Sequence, residues 1–127
     1  MIRVYTASKA HHYLWWRALR AAGVPIAASW IDWPLNAPDT ELPTAEQWRR
    51  HWQRCCEEAA AADVCLFVDM PGENQCGGLI ELGCALASGR QVFLVSDNWW
   101  SVQNHPRCRV FSTLEAAIEA IRGDASG

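Results

Sequence analysis

The feature that most constrains this chain is the alternation of short apolar runs with amphipathic stretches. Residues 63–69 (DVCLFVD) and 91–95 (QVFLV) are too continuously apolar for strands with one wet face. Both faces must be covered, as in a parallel sheet with helices on either side. Shorter runs at 2–6 (IRVYT), 26–31 (IAASWI) and 108–111 (CRVF) read as three further strands.

Helical patterns fall between them. Residues 10–22 form one, ended by Gly23 and Pro25. A loop with Pro34, Pro38 and Pro43 follows. Thr44 then caps a long helix, because Gln47 stands three residues on and completes a capping box. Trp48, Trp52, Cys55, Cys56 and Ala59 recur at helical spacing and give that helix its buried face. Another helix is expected over 78–88, closed by Gly89. The last is capped by Ser112 or Thr113 and closed by Gly123.

Five strands in β-α-β order predict an α/β fold, a flavodoxin-like doubly wound parallel sheet of five strands in the order 2-1-3-4-5. At 127 residues this is one domain over 1–123 with a short flexible tail at 124–127. A chain of this size buries roughly two-thirds of its unfolded surface, so the core needs no disulfide or metal staple.

Charge narrows the partners. There are 11 basic and 14 acidic residues, and Lys9 is the only lysine. Without a basic stripe the chain is not expected to bind a nucleic-acid polymer. No apolar run is long enough for a membrane span, and the N-terminal residues lack the shape of a signal peptide, so a cytoplasmic protein is expected. The six cysteines have no zinc spacing and read as reduced, buried thiols. His11, His12, His51 and His105 form no metal-binding motif; His51 and Cys55, four apart on a helix, have no visible second half. Neither a metal nor a cofactor is expected. Eight tryptophans exceed what one small core readily hides, which predicts a homo-oligomer.

In the expected strand order, ligands bind beyond the carboxyl ends of the first and third strands. Tyr5 and Ser8 come from the first strand and its loop, and Asp69 from the end of the third. Glu73, Gln75, Gly77, Gly78 and Glu81 come from the loop and helix that follow. Glu81 reads as a first-turn residue, where the helix dipole favours an ionised carboxylate. Gly77 and Gly78 would let a ligand approach the backbone. Tyr5 would donate a hydrogen bond to Glu81. Trp33 and Asn98, with Trp30 and the Trp99–Trp100 pair, rim the crevice and could contact a base. Asp69 and Glu81 facing one crevice suit cleavage of a glycosidic bond, one attacking the anomeric carbon and the other handling the leaving-group proton.

Tyr5 closing the first strand, Ala62-Asp63 opening the third, Asp69 closing it, and GGLIELGCALASGRQVFLV at 77–95 resemble the nucleoside 2-deoxyribosyltransferase-like superfamily. The resemblance is sharpest in Glu81-x-Gly83-x-Ala85-x-x-x-Gly89-Arg90-x-Val92. It implies a small nucleoside or nucleotide substrate and Glu81 as the nucleophile that takes the deoxyribosyl group. It also implies Tyr5 as the residue that positions Glu81, Asp69 as a site carboxylate, and Ser8 as a contact for a monophosphate. Members often carry an aspartate six residues before the nucleophile; Gln75 stands there, with Glu73 two residues further back. The chain therefore reads as an enzyme of deoxynucleosides or their monophosphates. The alternatives are a non-catalytic nucleotide-binding or sensing module, or an NAD-cleaving effector.

Overall fold

A computed structural model describes the backbone of residues 2–126 and the side chains of 2–123. The sheet has four strands, β1 (Val4–Ala7), β2 (Val64–Asp69), β3 (Gln91–Ser96) and β4 (Cys108–Phe111), all parallel and in that spatial order. Every residue of β1 and β2 is buried, as the unbroken apolar runs require. The helices are α1 (Tyr13–Ala21), α2 (Ala45–Ala61), α3 (Gly77–Ala87) and α4 (Leu114–Ser126). Helix α3 packs against α2 and lies over β1, β2 and β3, while α4 packs on β3 and β4.

The capping box forms as expected. Thr44 Oγ1 accepts from the Gln47 amide at 3.1 Å, and Gln47 Oε1 accepts from the Thr44 amide at 2.8 Å. Thr113 caps α4 by accepting from the Ala116 amide. That helix passes Gly123, where the sequence predicts its end, and runs to Ser126. The side chains of 124–126 and all of Gly127 lie outside the described residues, and with them the tail expected at 124–127.

The expected strand at 26–31 is a correction. Only Ile26 pairs with β1, through a single parallel bridge to Val4. The Val4 amide donates to Pro25 O and Val4 O accepts from the Ala27 amide. Val4 and Thr6 are two apart, so both turn their backbone groups to this edge. The next acceptor in register is therefore Thr6 O, and the Trp30 indole takes it at 2.7 Å. The chain turns away as a 3-10 helix over Ser29–Asp32. Glu58 holds the start of that turn by accepting from the Ser29 amide and hydroxyl. Arg20 grips its end at Asp32 through two contacts of 2.6 and 2.8 Å. The sheet thus keeps the expected order without its fifth strand.

Trp30→Phe keeps the ring but leaves Thr6 O without its donor. The expected loss of folding stability is about 1–3 kcal/mol in a denaturant titration; an unchanged midpoint and slope would show that water replaces the indole.

Candidate functional site

A cleft of about 240 Å³ opens beyond the carboxyl end of β1. Four tryptophans line it: Trp30, Trp33, Trp48 and Trp52. Ser8, Lys9, Ala10, Asn36, His51, Cys55, Gln75, Cys76, Gly77, Gly78 and Glu81 complete the wall. Trp33 stacks on His51 with ring centroids 3.8 Å apart and planes within 13°, and Trp48 meets both edge-on. Burial lowers the His51 pKa, and Arg54 adds to the effect.

Glu81 is the acid of this cleft. It is the fifth residue of α3, one residue further along than the expected helix start would place it, and so just past the first turn. The dipole effect fades beyond the first turn, and burial takes over. Glu81 is only 9% exposed. Burial pushes its pKa from 4.5 up to about 7, against the lowering effect of Tyr5, while the charge of Glu58 adds to the rise. Tyr5 is fully buried beneath it, and burial together with the Glu81 and Cys55 charges drives the phenol pKa far up. The expected Tyr5–Glu81 hydrogen bond is not completed in standard geometry: Tyr5 Oη and Glu81 Oε2 are both buried without one. Cys55, whose thiol burial pushes up to about 12, lies against the same phenol, with its Sγ 3.7 Å from His51 Nε2.

The glycines of α3 serve packing. A methyl group at Gly77 would meet the Trp52 ring at 3.0 Å, and one at Gly78 would meet the Phe67 ring at 3.0 Å and Gln75 Oε1 at 3.3 Å. Neither adopts a positive φ. They bring α3 close to the sheet and to α2, which puts Glu81 over Tyr5.

Asp69 stands apart from Glu81. It lines a second cavity, of about 330 Å³, bounded by Ser96, Asp97 and the start of α4. Its Oδ2 accepts from Ser96 Oγ at 2.8 Å, Asn98 Nδ2 at 2.9 Å and Trp100 Nε1 at 3.0 Å. Burial raises its pKa, but these donors, with the nearby Gln75 amide, outweigh burial and hold it below the ordinary value. Asn98 and Trp100 thus anchor Asp69, and neither lines the Glu81 cleft. Trp99 is 70% exposed and does not line it either.

The remaining candidates divide. Gln75 is buried in the cleft wall, with Nε2 lacking a hydrogen-bond partner. Ser8 lines the cleft too; its hydroxyl accepts from the Trp16 indole at 2.8 Å and donates to Lys9 O. Glu73 turns away from the cleft, and its Oε2 meets Nε2 of His12 at 2.8 Å and of His11 at 3.1 Å. Sequence spacing gave no sign of this trio, because 61 residues separate His12 from Glu73. Trp48 and Trp52, expected to pack inward, instead form the cleft wall, and Trp48 is 43% exposed. All six cysteines are free, but only Cys55 and Cys65 are buried, and Cys76 is exposed. Among the described residues, no helix is long and apolar enough to cross a membrane.

No family model and no curated protein matches the chain in sequence. In three dimensions it is similar to a solved structure, the CMP N-glycosidase BcmB of Clostridium botulinum. The TM-score is 0.56 at 12% identity, covering 94% of this chain and 98% of the other. The likeness is one of fold: an α/β architecture with a parallel sheet, compatible with a flavodoxin-like arrangement.

The buried carboxyl has a cost that depends on pH. Its folded-state pKa is raised, so its contribution to stability is fully present below 4.5 and is lost as pH rises through about 7. A shift of this size corresponds to about 3 kcal/mol at most. Glu81→Gln keeps the shape and removes the charge. It is expected to melt above the wild type at pH 8, by a margin that closes near pH 5. A margin independent of pH would contradict the raised pKa.

Proposed function

We propose that this chain cleaves or transfers the N-glycosidic bond of a deoxynucleoside or its monophosphate, with Glu81 as the nucleophile. The observation that carries this reading is one carboxyl group buried at the base of a tryptophan-lined cleft, its pKa raised to about 7 by burial. The resemblance of residues 77–95 to the nucleoside 2-deoxyribosyltransferase-like superfamily supports it. So does the fold shared with a protein described as a CMP N-glycosidase.

In this reading the base stacks among the cleft tryptophans, as aromatic rings commonly hold nucleobases. A carboxylate oxygen of Glu81 bonds to the anomeric carbon while the carbon–nitrogen bond breaks, and its electron pair leaves with the base. The sugar is then held as a glycosyl ester. Water releases it in hydrolysis, and a second base releases it in transfer. A carboxylate stripped of water attacks without first shedding a hydration shell, so burial both raises its pKa and readies it. Tyr5 limits the sideways freedom of the carboxyl group. Ser8 would meet a monophosphate oxygen by turning its O–H away from Lys9 O, and the Lys9 ammonium adds positive charge at the same end. Asp69 is held ionised by its donors, which suits anchoring the 96–100 loop better than supplying a proton. The departing base takes its proton from water in the cleft. Exposed Leu14, Ile80 and Trp99 offer apolar surface for the self-association expected from the sequence.

A second reading, a non-catalytic nucleotide-binding module, is favoured by Gln75. An amide donates and accepts hydrogen bonds at a base edge but delivers no proton. One assay separates the two. The protein is incubated with deoxynucleosides, their monophosphates and NAD, with and without a second free base, and the released or exchanged base is measured. Wild type is expected to release base from a deoxynucleoside or its monophosphate. Folded Glu81→Gln is expected to lose about 10²–10⁴-fold in rate. Gln75→Asp places a carboxyl beside Asp69, where like charge raises its pKa into a proton-donating range, and is expected to gain up to about 10²-fold. Near-wild-type turnover by Glu81→Gln contradicts the proposal. Ligand binding without turnover, unrescued by Gln75→Asp, establishes the second reading.

A further inference from the structure

We propose that His11, His12 and Glu73 bind a divalent transition-metal ion of the zinc class. The three donor atoms lie within 4.8 Å of one another. Two imidazole nitrogens and one carboxylate oxygen are a donor set that suits zinc and its neighbours rather than calcium or magnesium. Both imidazoles direct Nε2 at the same oxygen, Glu73 Oε2, at 2.8 and 3.1 Å.

Zinc holds nitrogen and oxygen ligands at about 2.0–2.2 Å, which sets tetrahedral donors roughly 3.3–3.5 Å apart. The two separations from Glu73 Oε2 need to open by about 0.2–0.7 Å. His11, 67% exposed at its side chain, is free to make that move.

A second observation points the same way. Glu73 Oε1 is buried with no hydrogen-bond partner. Two imidazoles converge on one oxygen of this carboxylate while the other has nothing. A buried polar atom left in this way commonly marks an ion or water. A cation at Oε2 would neutralise the whole carboxylate and lessen the cost of its unpaired oxygen.

The site joins two segments. His11 and His12 form the short 3-10 turn after β1, and Glu73 lies in the loop between β2 and α3. Each segment also gives the cleft a wall residue, Ala10 and Gln75. A bound ion would clamp the two walls together. Three protein ligands leave a fourth position for water or an exchangeable ligand.

The test uses the full chain, reduced and stripped with a chelator, then titrated with Zn²⁺ against a chromophoric competitor. One equivalent per chain is expected. His11→Ala and His12→Ala should each weaken it by on the order of 100-fold or more, because even groups outside the ligand shell cost 10–100-fold. Cys76→Ser, which removes the exposed thiol, and His105→Ala should leave it unchanged. Co²⁺ in place of Zn²⁺ should show visible d–d bands without a thiolate charge-transfer band. Zn²⁺ should raise the melting temperature of wild type and not of His11→Ala, whose exposed side chain makes it the variant least able to disturb the fold. Failure to bind an equivalent, binding that survives His11→Ala and His12→Ala, or binding lost with Cys76→Ser would each overturn the proposal. Base release plays no part in these readouts, so they stand whatever the cleft does.

Discussion

Everything around the cleft depends on keeping one carboxyl group, that of Glu81, away from water. Burial raises its pKa to about 7, and the neighbouring groups only modulate that effect. Tyr5 pulls the pKa down and Glu58 pushes it up. The helix dipole, which would have favoured the ionised form in the first turn, is too far along α3 to compete. The packing follows from the same need. Gly77 and Gly78 let α3 sit directly on Trp52 and Phe67, and that close approach lowers Glu81 onto the buried Tyr5. A protein that strands a carboxylate this way loses stability as pH rises through about 7.

The two acidic residues of the site show how environment divides similar groups. Glu81 has one phenol near it and no completed hydrogen bond, so burial prevails. Asp69 is as inaccessible to water, but less protein surrounds its carboxyl, and it collects three donors from Ser96, Asn98 and Trp100, so hydrogen bonding prevails. The first is poised to change its charge near neutral pH. The second stays charged and ties the end of β2 to the loop after β3. A strand end marked Asp69 and the following helix marked Glu81; the weight of burial and the local donor count tell the two apart.

Much of the fold was legible because its causes are local. Unbroken apolar runs signalled β2 and β3, and the Thr44–Gln47 box started α2. Sheet order followed from the β-α-β alternation. The missing strand was not legible, because 26–31 carries a strand-like pattern and lost its pairing to a single indole, that of Trp30, on Thr6 O. Of the residues expected at the crevice, Glu81, Gln75 and the glycine pair, after β2, and Ser8, after β1, line the cleft. Helical periodicity sent Trp48 and Trp52 to the core, since spacing shows which residues share a face and not what the face meets. Asp69 was grouped with Glu81 because both follow the same strand. Its side chain is drawn toward β3, while α3 carries Glu81 back over β1. The trio of His11, His12 and Glu73 left no trace in spacing because its halves come from different crossovers.

The central claim, that burial holds the Glu81 carboxyl partly protonated at neutral pH, is tested most directly by titrating it by carbon-13 NMR. Glutamate side-chain carboxyls are labelled, and the Glu81 resonance is assigned by its absence in Glu81→Gln. The account predicts a midpoint near pH 7, clearly separated from the other glutamates. A midpoint near 4.5, among the surface carboxyls, would contradict it.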